Sequence, residues 1–209
     1  LSFLFGRLCG ADKKSLLIAI ACCLVVLAVS LLLAGFYFDL SWDGQAYHQA
    51  AVYNLGGSWN PLLQQLETPD HVNDSSVLFF PKNSWIFGAA LLRFSGTVAL
   101  GKAYNFIILF AAAGLVYPLC RGFKMPVWRA IVLTLLALLN PVVWIEIPGY
   151  LNDGDLYLLL VIYVASFILC LRDPKFIFIS IGLLAAVCLV NVKFTGLVFF
   201  LVASLFILI

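Results

Sequence analysis

The sequence predicts an all-α integral membrane protein: a multi-helix transmembrane bundle with a long, partly helical first external loop. Three observations carry this. Hydrophobic residues make up 64% of the chain and charged residues 11%, with a mean hydropathy of +1.10. A soluble domain of 209 residues needs far more charged surface. The apolar residues gather in runs of the length that crosses a bilayer as helix, about 20 residues. The charges then separate by sign between alternate connections.

Six runs qualify, roughly Ser15–Phe38, Gly101–Cys120, Trp128–Ile145, Asp155–Leu171, Phe176–Val190 and Gly196–Ile209. Lipid offers the backbone no water, so each run must satisfy its own hydrogen bonds as helix. The first is too long for a signal-peptide core and lacks a small-residue cleavage site, which marks it as a retained helix. Pro141 lies near the end of the third and either kinks or terminates it. The fifth is short. The chain starts at Leu1 and stops inside the sixth run, so residues 1–209 read as one transmembrane domain, the N-terminal part of a longer protein.

The connections set the topology. One side carries Arg7, Lys13, Lys14, Arg121, Lys124, Arg129, Arg172 and Lys175, against the acids Asp12 and Asp173. The other carries Asp39, Asp43, Glu67, Asp70, Asp74, Glu146, Asp153 and Asp155, with Lys82, Arg93, Lys102 and Lys193. The positive-inside rule makes the first side cytoplasmic. A net charge of +2 gives no reason to expect a nucleic-acid partner. Cys9, Cys22, Cys23, Cys120, Cys170 and Cys188 form no C-x-x-C pair and lie in or beside apolar runs, as packed thiols do.

The first external loop, Asp39–Leu100, is about 60 residues long, well beyond the ~15 at which loops become uncommon and usually functional. Gly44–Leu55 reads as a short helix. Asn83–Phe94 reads as another, with Trp85, Ile86, Ala89, Leu92 and Phe94 available to lie on the membrane. Trp42, Trp59 and Trp85 fit the aromatic belt of an interface. Thr68–Ser76 is polar and reads as a mobile turn.

The candidates for chemistry lie on the acidic side. Asp43, in S-W-D-G-Q-A-Y-H, either caps the helix that starts at Gly44 or presents a free carboxylate. His48 reads as a polar contact rather than a metal ligand, since no second His lies one helical turn away. Asp153 and Asp155, in P-G-Y-L-N-D-G-D-L-Y, either complement the dipole of the following helix or, with Asn152, bind a cation or orient a hydroxyl. Glu146 either joins them or ends its own helix. Lys82 and Lys193 are bounded closely by apolar segments, where a lysine must snorkel or meet an anion; together they suit a phosphate.

In their order and common sidedness these motifs resemble the GT-C superfamily of membrane glycosyltransferases, in particular the protein O-mannosyltransferase and aminoarabinose-transferase branch. The motifs are S-W-D-G-Q-A-Y-H in a long first external loop, then F-P-K before an amphipathic helix. N-D-G-D-L opens the fourth helix and V-K-F-T-G follows the fifth. The resemblance covers nearly all of this chain and the N-terminal half or less of such an enzyme. It implies transfer of a sugar from a polyprenyl-phosphate carrier to a lipid, glycan or protein acceptor on the non-cytoplasmic face, here of a bacterial inner membrane. It implies catalytic roles for Asp43 and Asp153, and substrate-binding roles for Lys82, Lys193, His48 and Asp155. The closest mannosyltransferases carry an Asp-Glu pair in the first loop; here Asp43 is followed by Gly44, which weighs against a protein acceptor. Members differ in metal use, so a divalent cation stays open. Two other readings compete: a polytopic transporter or channel, which would place ionisable groups at helix centres, and a noncatalytic assembly subunit.

Overall fold

The computed structural model describes residues 12–64 and 74–208. The expected turn at Thr68–Ser76 falls mostly outside the described residues, as do Arg7, Cys9, Glu67, Asp70 and His71. Among the described residues the fold is all-helical, without a strand.

Helix α1 (Lys13–Phe36) begins under an Asp12 cap, whose Oδ1 accepts the Ser15 N–H at 2.9 Å. The loop region supplies a π-helical turn (Gly44–His48), α2 (Gln49–Gly56), α3 (Asp74–Phe79) and α4 (Asn83–Ser95). A 3₁₀ turn (Val98–Lys102) leads into α5 (Ala103–Gly122). The third apolar run is broken. Helix α6 (Val127–Leu138) stops, and Asn140 caps a separate α7 (Pro141–Glu146) by accepting the Val143 N–H at 3.0 Å. Pro141 sits in the first turn of α7, where its missing N–H costs nothing, so it terminates the run rather than kinking it. Helices α8 (Asp153–Arg172), α9 (Phe176–Val190) and α10 (Phe194–Leu208) complete the bundle.

Three helical segments are long and apolar enough to cross a membrane: Lys13–Phe36, Val98–Gly122 and Asp153–Arg172. Helices α6, α9 and α10 are apolar but shorter. The core centres on α8, which packs against α5, α7, α9 and α10. Small residues let α8 and α9 approach: a Cβ on Gly182 would lie 3.5 Å from Ser166 Cβ, and Ala165, Ala185 and Ala186 are buried beside them. Helix α1 is peripheral, burying only Ser30 and Ala34. Large apolar side chains lie exposed along α1, α6, α9 and α10.

Hydrogen bonds mark the two ends of the bundle. Arg172 donates to the Gly122 carbonyl, joining the C-terminal ends of α5 and α8. At the opposite, acidic end Lys102 donates to the Tyr37 carbonyl, and Asn105 donates to the carbonyls of Ile147 (3.2 Å) and Gly149 (2.8 Å).

The long loop is a folded cap with a core of its own, built from Ala51, Val52, Val77, Trp85, Ala89 and Tyr150. This corrects the membrane-facing role expected for α4. Trp85 is 0% exposed and Ala89 is buried, whereas Ile86 and Phe94 face outward. Trp85 turns inward, where its indole N–H finds a buried acceptor; Trp42 is 74% exposed.

Candidate functional site

The site is organised around a buried acid that sequence reading passed over as a site residue. Asp39 is 4% exposed. Its Oδ1 accepts from the Ser41 N–H (2.9 Å) and hydroxyl (2.7 Å); its Oδ2 accepts from the Tyr150 N–H (3.1 Å) and the Gln49 amide (3.4 Å). The first loop is thereby fastened to the segment between α7 and α8. Ser41 in turn accepts the Gly44 N–H at 3.1 Å, so Ser41, not Asp43, caps the turn that follows. Asp43 makes no capping bond with its side chain. The D-x-S spacing of Asp39 and Ser41, a side-chain-to-backbone turn signal, is the feature that could have revealed this.

Relieved of capping, the half-exposed Asp43 carboxylate meets the Tyr47 phenol. Burial, then the charge and hydrogen bond of Asp43, then the charge of Asp153, push the Tyr47 hydroxyl up to about 12. Both acids expected to be catalytic therefore act on one phenol. The π-helical turn carries Tyr47 and His48 on the strand of backbone directly after Asp43, and such turns recur at functional positions.

His48 is 4% exposed, and its Nδ1 accepts the Trp85 indole N–H at 2.7 Å. Burial lowers its pKa to about 4, against the opposing pull of Asp43 and Asp39. His48 is thus neutral at physiological pH, with its hydrogen on Nε2. It also feels Lys193 and Asp153, which places it behind the same cluster.

Lys193 forms an ion pair with Asp153, Nζ to Oδ1 at 2.5 Å, with both side chains about half exposed. Asp155, two residues on, does not join this open group. It is 2% exposed and turns into the bundle beside Glu146. Glu146 Oε2 accepts the Gly154 N–H at 2.7 Å and so caps α8 from a neighbouring helix. Burial raises the Glu146 pKa, and the charge of Asp153 adds to this; the Gly154 N–H and Lys193 oppose it.

Lys82 lies apart from Lys193 in its bonding. Its ammonium donates to the carbonyls of Leu78 (2.9 Å) and Phe80 (2.7 Å) and stands 5.8 Å from the Trp59 ring and 5.7 Å from Trp85. Burial depresses its pKa. The Trp85 ring that it faces is bonded to His48.

The cap is tied down next to these groups. The Asn83 amide donates to the Tyr104 hydroxyl (2.7 Å), the Asn83 N–H to the Asn191 carbonyl (3.1 Å), and the Ser84 hydroxyl to Asn152 (3.2 Å). Beneath Asn83 and Tyr104 an apolar groove of about 620 Å³ runs between α5, α8 and α9, lined by Ile108, Leu115, Leu159, Ile181 and Leu184 among others. Among the described residues, no three His, Cys, Asp or Glu side chains are grouped so as to hold a metal ion. No family model, no curated protein and no solved structure matches this chain.

Proposed function

We propose that the chain is a multi-pass membrane protein whose acidic end faces the non-cytoplasmic side and transfers a sugar from a polyprenyl-phosphate carrier to an acceptor hydroxyl. The exposed apolar surfaces of its helices and the separation of basic from acidic connections support the membrane placement. The observation that carries the activity is the grouping of Asp43 and the half-exposed Asp153–Lys193 pair about Tyr47.

In this reading Asp43 is the base. Its carboxylate is free of capping and accepts the acceptor's hydroxyl proton as the oxygen attacks the anomeric carbon. The carrier phosphate leaves with the bonding electrons. Lys193, a compact cation already at the site, exchanges Asp153 for the departing phosphate, and Asp153 holds it in place until then. Neutral His48 donates from Nε2 without adding charge. The groove between α5, α8 and α9 offers room for the carrier's hydrocarbon.

The test is transfer of a labelled sugar from polyprenyl phosphate by the full-length protein in membranes. Asp43→Asn keeps the shape and removes the base, so transfer should fall by at least ~100-fold, the scale of a lost general base. Transfer at the wild-type rate would remove Asp43 from the chemistry.

A further inference from the structure

Asp155 and Glu146 form a second acidic pair that the transfer reading does not use. Asp155 sits in the first turn of α8 at 2% exposure, and its Oδ2 is fully buried without a hydrogen-bond partner. Glu146, at the end of α7, accepts the N–H of Gly154, the residue before Asp155, and its charge acts on Asp155. The groups around them are few. Tyr104 on α5 feels Asp155, and Cys188 on α9 lies beside Tyr104. Asp153 on α8 and Lys193 after α9 act on Glu146. Lys193 is already bonded to Asp153.

An ionised carboxylate cannot be buried cheaply without a partner for each oxygen, and a second acid at its side makes ionisation worse. A neutral carboxylic acid in the same place costs far less. The Tyr104 hydroxyl supplies no positive charge, and Lys193, which acts on Glu146, is engaged with Asp153.

We propose that Asp155 and Glu146 together bind one proton, carried on Asp155, and that this end of α8 is a proton-binding site. Glu146 gives the proton its way out. It is half-buried, faces Asp155 on one side, and feels Asp153 and Lys193 on the other. Loss of the proton to water leaves two neighbouring anions. Their repulsion works against the Glu146–Gly154 bond that caps α8, and the first turn of α8 carries Asp153. Proton occupancy thereby controls how firmly the open cluster is held.

The experiment is an infrared pH titration of the full-length protein in lipid nanodiscs, read at the carbonyl stretch of protonated carboxyls in H₂O and D₂O. Wild type should show a buried carboxylic-acid band at neutral pH. Asp155→Asn should abolish it and Asp153→Asn should retain it. No such band in wild type, or a band that survives Asp155→Asn, overturns the proposal. Should Asp155→Asn fail to fold, Glu146→Gln decides: the band should persist but titrate away at lower pH, and an unchanged titration overturns the shared site. Thermal unfolding gives a parallel readout. A proton held by the folded chain and released by the unfolded one makes wild type lose stability as pH rises above neutral, a loss that Asp155→Asn should lack. Stabilisation of wild type by sodium or potassium that Asp155→Asn lacks would instead assign the site to a metal cation and overturn the proton. None of these readouts depends on sugar transfer.

Discussion

Trp85 and His48 couple the cap's interior to the site through a single bond, and pH should expose it. The unfolded chain protonates His48 near pH 6.5 and the folded chain only near 4. The His48 contribution to stability is therefore complete above about pH 6.5 and is lost as pH drops toward 4, by about 3 kcal/mol at ~1.4 kcal/mol per pH unit. Thermal unfolding of wild type against His48→Gln across that window checks this, with the variant showing a shallower loss. Trp85→Phe leaves His48 Nδ1 buried and unpaired, and should cost about 2–4 kcal/mol. The Asp153–Lys193 pair should behave oppositely. Both partners are about half exposed, so Lys193→Ala should change stability by only ~0–1 kcal/mol. If Lys193 meets the carrier phosphate, the same variant should lower transfer roughly ten- to a hundredfold, the value of a charge-assisted hydrogen bond. A large stability loss with normal transfer would make the lysine a structural tie.

At the level of elements, Gly44 decides whether the first loop can close. A Cβ there would lie 2.1 Å from Asp39 Oδ2 and 2.3 Å from Ser41 Oγ. Gly44→Ala must displace the acid that fastens the loop to the α7–α8 segment, and should destabilise the protein by about 1–3 kcal/mol. Limited proteolysis should then cut within residues 39–100 much faster than in wild type. The same contact leaves no room for a side chain directly after Asp43. Helices were largely legible in the sequence because apolar runs specify them locally, whereas the caps Asp12 and Asn140 emerged only in the structure. Asp43 and Asp153 each stand out in a short polar motif, and the fold brings both near Tyr47. Asp39 and Trp85 were not, because their roles come from partners far along the chain. Tyr150 is 111 residues from Asp39, and His48 is 37 from Trp85. A tryptophan on an amphipathic helix looks the same whether its neighbour is lipid or a folded cap. The inward turn of Asp155 was hidden for a similar reason, since Glu146 caps α8 from another helix.

For the whole molecule, the membrane reading predicts a definite sidedness. In a cysteine-free background, Leu40→Cys at the acidic end should react with a membrane-impermeant thiol reagent added outside intact cells. Pro174→Cys, between α8 and α9, should react only after the inner face is opened. The reverse pattern would invert the orientation. Among the described residues no disulfide joins the cysteines, so their replacement breaks no cross-link.

The break after α6 has a consequence for the surrounding bilayer. At 1.5 Å per residue, the 12 residues of α6 and the 15 of α9 span only about 18 Å and 23 Å, against ~30 Å of hydrocarbon. A membrane meeting these helices must thin locally or let water in beside them. The polar groups at the ends of α7 and α9 would then lie beneath the headgroup plane of the undisturbed lipid. A phosphate anchored to a long hydrocarbon chain would reach them by sliding sideways within the leaflet, while a water-soluble phosphate would have to descend into a depression.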